Sequence, residues 1–238
     1  MMPSPSRALI ISGGVSHDFA DSSQALATIL ANAGFDCEVS ENPNAAWDLM
    51  AAGEIDLVTI NTLRWRMHGA AYSNQAETWA YHVDERAKSA MAEHLKAGRG
   101  LLAMHAASLC FDDWPEWGIR YLGASWVWGY SRHDPPGPAH VRIAGTHELL
   151  GDAKAFDIVD EIYTNLAVQA DVKPLAYATV DGHQEEHPVL WTRQVGSGRV
   201  VYDALGHDRR SLEQPDHKAI IIRAARWAAR LTQKIRED

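Results

Sequence analysis

Three short, largely apolar runs constrain the fold of this chain more than any other feature: residues 7–12 (Arg-Ala-Leu-Ile-Ile-Ser), 55–60 (Ile-Asp-Leu-Val-Thr-Ile), and 100–104 (Gly-Leu-Leu-Ala-Met). None alternates with polar residues and none is long enough for a helix, so each predicts a strand covered on both faces. Between the first two, Leu26, Ile29, Leu30 and Ala33 recur at helical spacing, with Asp21 or Ser22 as the expected N-cap and Gly34 as the stop. Residues 35–40 predict a further strand, and residues 44–52 a short helix ended by Gly53. Strand, helix, strand, helix, strand at this pitch is the pattern of a parallel sheet with helical crossovers.

A long helix is expected from Ser73, with Ala76, Trp79, Val83, Ala87, Met91 and Leu95 on one face and Gly98 after it. The character changes in residues 112–138, which hold Trp114, Trp117, Trp126, Trp128 and Tyr130 before a proline-rich stretch. That segment is too irregular for a crossover helix and too aromatic for a disordered linker, so it predicts an ordered excursion over the sheet edge. Strands are expected at 140–144, 155–163, 175–180, 189–195 and 199–205, with a tight hairpin at Gly196-Ser197-Gly198. A helix from about Pro215, burying Ile220, Ala224, Trp227 and Leu231, closes the chain. The whole reads as one α/β domain over residues 1–238, with a core from about 7 to 232.

Charge and cysteine usage exclude several function classes. A formal net charge of -9 without a dense basic patch argues against nucleic acid and anionic membranes as partners. Cys37 and Cys110 make no disulfide framework. With no leader pattern near Met1 and no long apolar run, a cytoplasmic protein is expected.

The run at 100–104 ends abruptly in His105-Ala106-Ala107-Ser108, the pattern of a buried strand turning sharply into a helix. Other α/β families place a nucleophilic serine or cysteine at such a corner. Here the corner is an imidazole, and Cys110 lies beyond the apex. Ligands of open parallel sheets bind past the carboxyl ends of the strands. Four polar clusters fall at such ends: His17 with Asp18, then Arg64, Trp65 and His68, then His105, then His207 with Asp208. Glu161 and Asp160 form a charge pair in an otherwise apolar strand, which is costly unless paired or coordinating. Histidines at neighbouring strand ends, with carboxylates beside them, suggest one shared pocket. Each also has a plainer reading: His105 as a core histidine, Asp18 and Asp208 as turn or cap residues, Glu161 in an ion pair with an arginine, the tryptophans as packing. His82, His94, His183 and His217 are expected at the surface. Histidines with a carboxylate suit a divalent zinc, manganese or cobalt ion, although no short ligand spacing exists. The Gly13-Gly14 turn lacks a dinucleotide fingerprint, so no nucleotide cofactor is expected.

These residues resemble the ThuA (trehalose utilisation) family, a branch of the class I glutamine amidotransferase-like fold. The resemblance rests on Gly13-Gly14-x-x-His17-Asp18, the stretch from Gly100 to Ala107, Arg132-His133, Thr146-His147-Glu148-Leu149 and Asp160-Glu161-Ile162-Tyr163. It continues through Pro188-Val-Leu-Trp-Thr and the run from Gly198 to Asp208. It implies a flavodoxin-like three-layer α/β/α sandwich, its sheet mostly parallel, with additional strands in the C-terminal half. It also implies catabolism of trehalose and related disaccharides alongside a dehydrogenase that makes 3-keto sugars. Residues 126–138 depart from the family pattern in being richer in aromatics and proline. With His105 where amidotransferases carry cysteine, glutaminase chemistry is not expected.

The expected activity is isomerisation, elimination or hydrolysis of a disaccharide-derived keto-sugar. His105 or Glu161 would act as base, with Asp18 and Asp208 orienting their neighbours. His17, His105 and His207 would hold any metal, and Glu161 is then the base. Trp65, Arg132, His133 and Tyr163 are the candidates for binding sugar, and a homo-oligomer is allowed for. The competing expectation is a non-catalytic sugar-binding or regulatory domain on a scaffold that lacks the nucleophilic cysteine. A hydrolase using Cys110 is the third.

Overall fold

The computed structural model describes residues 5–231; residues 1–4 and 232–238, which the sequence reading includes in the domain, lie outside the described residues. The strands are β1 (Ser6–Gly14), β2 (Phe35–Ser40), β3 (Leu57–Leu63), β4 (Gly100–Met104), β5 (Ala124–Ser125), β6 (Gly137–Ile143), β7 (Phe156–Asp160), β8 (Ala167–Val168), β9 (Ala176–Val180), β10 (Glu186–Val195) and β11 (Gly198–Asp203). The helices are α1 (Phe19–Asn32), α2 (Pro43–Ala51), α3 (Ser73–Trp79), α4 (Glu85–Lys96), α5 (Arg209–Leu212) and α6 (Pro215–Ala228).

Nine strands form one sheet in the order β2-β1-β3-β4-β11-β10-β9-β6-β7. The first five run parallel, and the last four continue by antiparallel pairing. Helices α1, α5 and α6 cover one face, and α2 and α4 the other, giving the flavodoxin-like α/β/α sandwich. The three apolar runs are the central strands, and every residue of β3 and β4 is buried. Because the direction alternates from β11 through β10, β9 and β6, β7 points the same way as β11. Its carboxyl end therefore reaches the edge where β1, β4 and β11 end.

The structure revises several expectations. The N-cap of α1 is Asp18, as its plainer reading has it and not Asp21 or Ser22; its Oδ1 accepts from the Asp21 backbone N–H at 3.0 Å. The long helix expected from Ser73 is two helices. Ala80 turns extended, and Asp84 caps α4 by accepting from the Ala87 N–H at 2.8 Å. A good N-cap outweighs a continuous apolar stripe, because it satisfies a donor that would otherwise be orphaned. The strand expected over 155–163 stops at Asp160, which leaves Glu161 just past the strand end. His94 and His217, expected at the surface, are each 1% exposed. His94 Nε2–H donates to the Gly100 carbonyl at 2.8 Å, and His217 bridges the Asp203 carboxylate (3.0 Å) and the Ser211 carbonyl (2.8 Å). The aromatic excursion is ordered: it contains a π-helical stretch over Trp117–Leu122 and pairs β5 with β8.

Candidate functional site

His17, His105 and His207 follow the carboxyl ends of β1, β4 and β11, and each sits at or just after a left-handed residue. Ser16 has φ 69°, His105 itself φ 37°, and Gly206 φ 105°. Such a backbone turns the chain off a strand within one residue and aims the next side chain across the sheet edge. Glycine is required at 206 for a second reason. A Cβ there would lie 3.0 Å from Leu212 and 3.2 Å from Met104. The His105 corner is pinned by Tyr202, whose hydroxyl lies 2.9 Å from the His105 carbonyl and 2.9 Å from Ser108 Oγ.

All three imidazoles converge on Glu161. Its Oε2 lies 3.3 Å from His105 Nε2, 3.4 Å from His207 Nδ1 and 4.0 Å from His17 Nε2. Its Oε1 is 2.9 Å from Nδ1 of His133, which stands at the solvent side with 41% of its side chain exposed. The ligand-type atoms of His17, His105, Glu161 and His207 lie within 4.8 Å of one another. Tyr163 stacks on His105 with ring centroids 4.3 Å apart and floors the site.

The tautomers follow from the far side of each ring. His105 Nδ1–H donates to the Ala204 carbonyl at 2.8 Å, and His17 Nδ1–H donates to the Val15 carbonyl at 3.3 Å. In the neutral rings both Nε2 atoms are then bare lone pairs facing a carboxylate. His17 Nε2 is buried with no hydrogen-bond partner. Burial first, then the neighbouring His105 and His207, push the His17 pKa down to about 3, so its ring is neutral. Burial opposes ionisation of Glu161; His105 and His207 in their protonated forms, by donating to it and by their charge, outweigh burial and hold its carboxyl well below the usual range. Burial likewise opposes charge on His207, and the Glu161 carboxylate overcomes it, raising that pKa.

An anion faced by lone pairs is a poor arrangement on its own and a good one around a cation. Tetrahedral bonds of about 2.1 Å place ligand atoms about 3.4 Å apart, and His207 Nδ1 lies 3.4 Å from His105 Nε2, with His17 in the same group. Carbonyl-bound Nδ1–H groups are also the usual orienting partners of metal-bound histidines. The residues present fit a divalent ion.

The remaining candidates are placed as follows. Asp18 caps α1, and Asp208 caps α5 by accepting from the Ser211 N–H at 3.1 Å. Both carboxylates thus serve helix ends, though the Asp208 charge also helps raise the His207 pKa. Trp65 is buried against Tyr72 and Trp128. Arg132 is exposed, and its backbone bridges Thr164. Arg64 bonds to the Glu41 carbonyl at 2.7 Å and lies over Trp79, which serves packing. Cys110 is sealed beneath the corner, and burial pushes its thiol up to about 12. A buried thiol that stays protonated is a weak nucleophile.

Sequence reasoning passed over Asp160. Its carboxylate accepts from the backbone N–H groups of Gly206 (2.8 Å) and His207 (3.1 Å) and from the Ser211 hydroxyl (2.5 Å). It ties the end of β7, and so Glu161, to the loop that carries His207. The signal was present in the charge pair of residues 160 and 161, but nothing in the sequence said which of the two faced backbone.

Fold and site together define the class: a flavodoxin-like α/β domain with a histidine–carboxylate cluster at its strand ends and an imidazole at the corner. The chain belongs to the ThuA family, described as trehalose utilisation, whose model matches residues 7–228. Among solved structures it resembles a ThuA-like protein of Parabacteroides merdae, with 19% identity, TM-score 0.72, and coverage of 99% of this chain and 94% of that one. A ThuA-like protein of Bacteroides uniformis aligns with 15% identity, TM-score 0.66, and coverage of 96% and 93%. A β-galactosidase of Rahnella sp. R3 aligns with 14% identity and TM-score 0.64 over 96% of this chain but 32% of its own. No curated protein matches the chain.

Proposed function

We propose that this protein is a metal-dependent enzyme of carbohydrate catabolism that acts on a keto-sugar derived from a disaccharide. Its reaction begins with removal of a proton beside the carbonyl and proceeds to isomerisation or to elimination of a glycosidic oxygen. The observation that carries the reading is the convergence of the bare Nε2 atoms of His17 and His105 and of His207 Nδ1 on one buried carboxylate. His17, His105 and His207 would hold zinc, manganese or cobalt, and the ion would supply positive charge for the enolate oxygen.

The chain's own residues supply the rest. Glu161, ionised at neutral pH, is the base, and the His105 ring cannot serve as both ligand and base. His133, bonded to Glu161 Oε1 and open to solvent, passes the abstracted proton outward. Tyr163 fixes the plane of His105, and Asp160 sets the His207 loop against Glu161. The family's description and the likeness to a β-galactosidase support a sugar substrate. A keto-sugar must come from an oxidising step, so a sugar dehydrogenase is the expected functional partner.

Two measurements test this. Elemental analysis of protein purified without added metal should give near-stoichiometric zinc, manganese or cobalt, lost in His105→Ala while the circular dichroism spectrum stays native. Product analysis with a panel of 3-keto-glycosides should show turnover that Glu161→Gln abolishes. A metal-free protein that binds sugar without consuming any keto form would replace this reading with that of a binding domain.

A further inference from the structure

The aromatic excursion continues the site outward. From His105 the rings pass to Tyr163, then Trp126 at 5.3 Å, then Trp128 at 6.3 Å, with Trp126 also 5.8 Å from His133. Trp128 leans on buried Trp65 at 5.8 Å yet remains 52% exposed, and Tyr130 is 61% exposed. These are the two exposed large aromatics among the described residues, and Trp128 is joined to the cluster through Trp126.

The loop that displays them is tightly held. The Trp126 N–H donates to the Ser108 carbonyl (3.0 Å), in the turn that follows His105. Val127 N–H donates to Ser131 Oγ (2.9 Å), Ser131 N–H to the Val127 carbonyl (2.8 Å), and the Ser131 hydroxyl to the Asn165 carbonyl (2.9 Å). Arg132 and Thr164 exchange backbone hydrogen bonds just beyond. A loop pinned this firmly could have buried its tryptophan, and it presents the ring to solvent instead. Flat rings held rigid beside a polar site lose little entropy on binding, and the apolar C–H face of a sugar ring complements an aromatic face. The second observation is the Trp126 indole N–H, which is buried with no hydrogen-bond partner. A buried donor without an acceptor is costly, and a sugar oxygen entering between His133 and Trp128 would supply the acceptor.

The geometry points to a second sugar subsite formed by Trp126 and Trp128, next to the histidine–carboxylate cluster, so that the substrate is a two-ring glycoside and not a free monosaccharide. This rests on the reading of the cluster as a keto-sugar site. The reacting ring lies over Glu161 and His133, and its glycosidic partner stacks on Trp128 with an oxygen toward the Trp126 N–H.

The test compares Trp128→Ala and Trp126→Phe with the native protein in two assays. In the first, kcat/KM is measured for a two-ring 3-keto-glycoside and for the matching one-ring 3-keto-hexose. The two-ring preference should fall about tenfold in Trp128→Ala, through KM. Trp126→Phe, which keeps a ring and removes the N–H, should lose part of it. In the second, trehalose and glucose are titrated by tryptophan fluorescence or calorimetry, which needs no turnover. Trehalose should bind the native protein more tightly than glucose, and Trp128→Ala should abolish the difference. If no keto-sugar is consumed but the trehalose preference exists and is lost in Trp128→Ala, the subsite stands and the proposed reaction falls. If keto-glycosides are consumed and the two-ring preference is absent or unchanged in Trp128→Ala, the subsite is wrong and the reaction stands. Equal or absent binding of the two sugars by the native protein, with no turnover, overturns both.

Discussion

His94 should make the protein acid-labile, and the size of the effect follows from its surroundings. The residue is 1% exposed on the inner side of α4, with Nε2–H on the Gly100 carbonyl and Nδ1 buried without a partner. Protonation would add a charged N–H that nothing accepts. Burial, and secondarily the charge of Arg99, push its pKa from the ordinary 6.5 down to about 4. The unfolded chain therefore binds a proton below about pH 6.5 that the native state refuses until about pH 4. Stability is complete above pH 6.5 and falls through that window, because the unfolded state holds more protons there. At about 1.4 kcal/mol per pH unit, the loss by pH 4 is about 3 kcal/mol. His94→Gln keeps an N–H for the Gly100 carbonyl but does not titrate. Urea unfolding of both proteins from pH 7.5 to 4 should show the native protein losing about 3 kcal/mol relative to the variant. Their difference cancels the other titrating groups, His17 included. Parallel stability curves would refute the argument that His94 is buried neutral.

Three further outcomes follow from the packing. Cys110, with its thiol pushed up to about 12, should resist iodoacetamide at pH 8 in the native protein and react once unfolded, as mass spectrometry would show. Gly100→Ala places a Cβ 2.6 Å from the Ala228 backbone carbon, forcing β4 and α6 apart. A loss of about 2 kcal/mol in urea unfolding is expected. Asp160→Ala leaves the Gly206 and His207 N–H groups and the Ser211 hydroxyl without their acceptor. It should cost about 3 kcal/mol, and weaken metal retention through the displaced His207.

Much of the fold was legible because burial on both faces leaves a local mark. Residues 7–12, 55–60 and 100–104 read as strands, and became β1, β3 and β4, since a central parallel strand must be apolar throughout. The corner at His105 was legible for the same reason, as was the gathering of His17, His105 and His207, because parallel strands must end along one edge. Where the reading failed, two local signals competed. The stripe from Ala76 to Leu95 spoke for one helix, and Asp84 as a cap decided for two. His94 and His217 looked like surface residues because a polar side chain in a helix does not announce a carbonyl or carboxylate waiting in a strand.

The sequence by itself determined the α/β architecture, the position of the corner and the set of histidines that share an edge, all consequences of short-range pattern and strand direction. Only the tertiary structure decided what those histidines meet. Glu161 lies 56 residues from His105, just past the end of a strand at the far end of the sheet order, and reaches the cluster through four successive antiparallel pairings. Only the structure, too, turned the Nε2 atoms of His17 and His105 inward, through carbonyl oxygens of Val15 and Ala204 that any residue could supply. Backbone acceptors and sheet coiling carry no residue code, so the chemistry of the site becomes visible only in the folded chain.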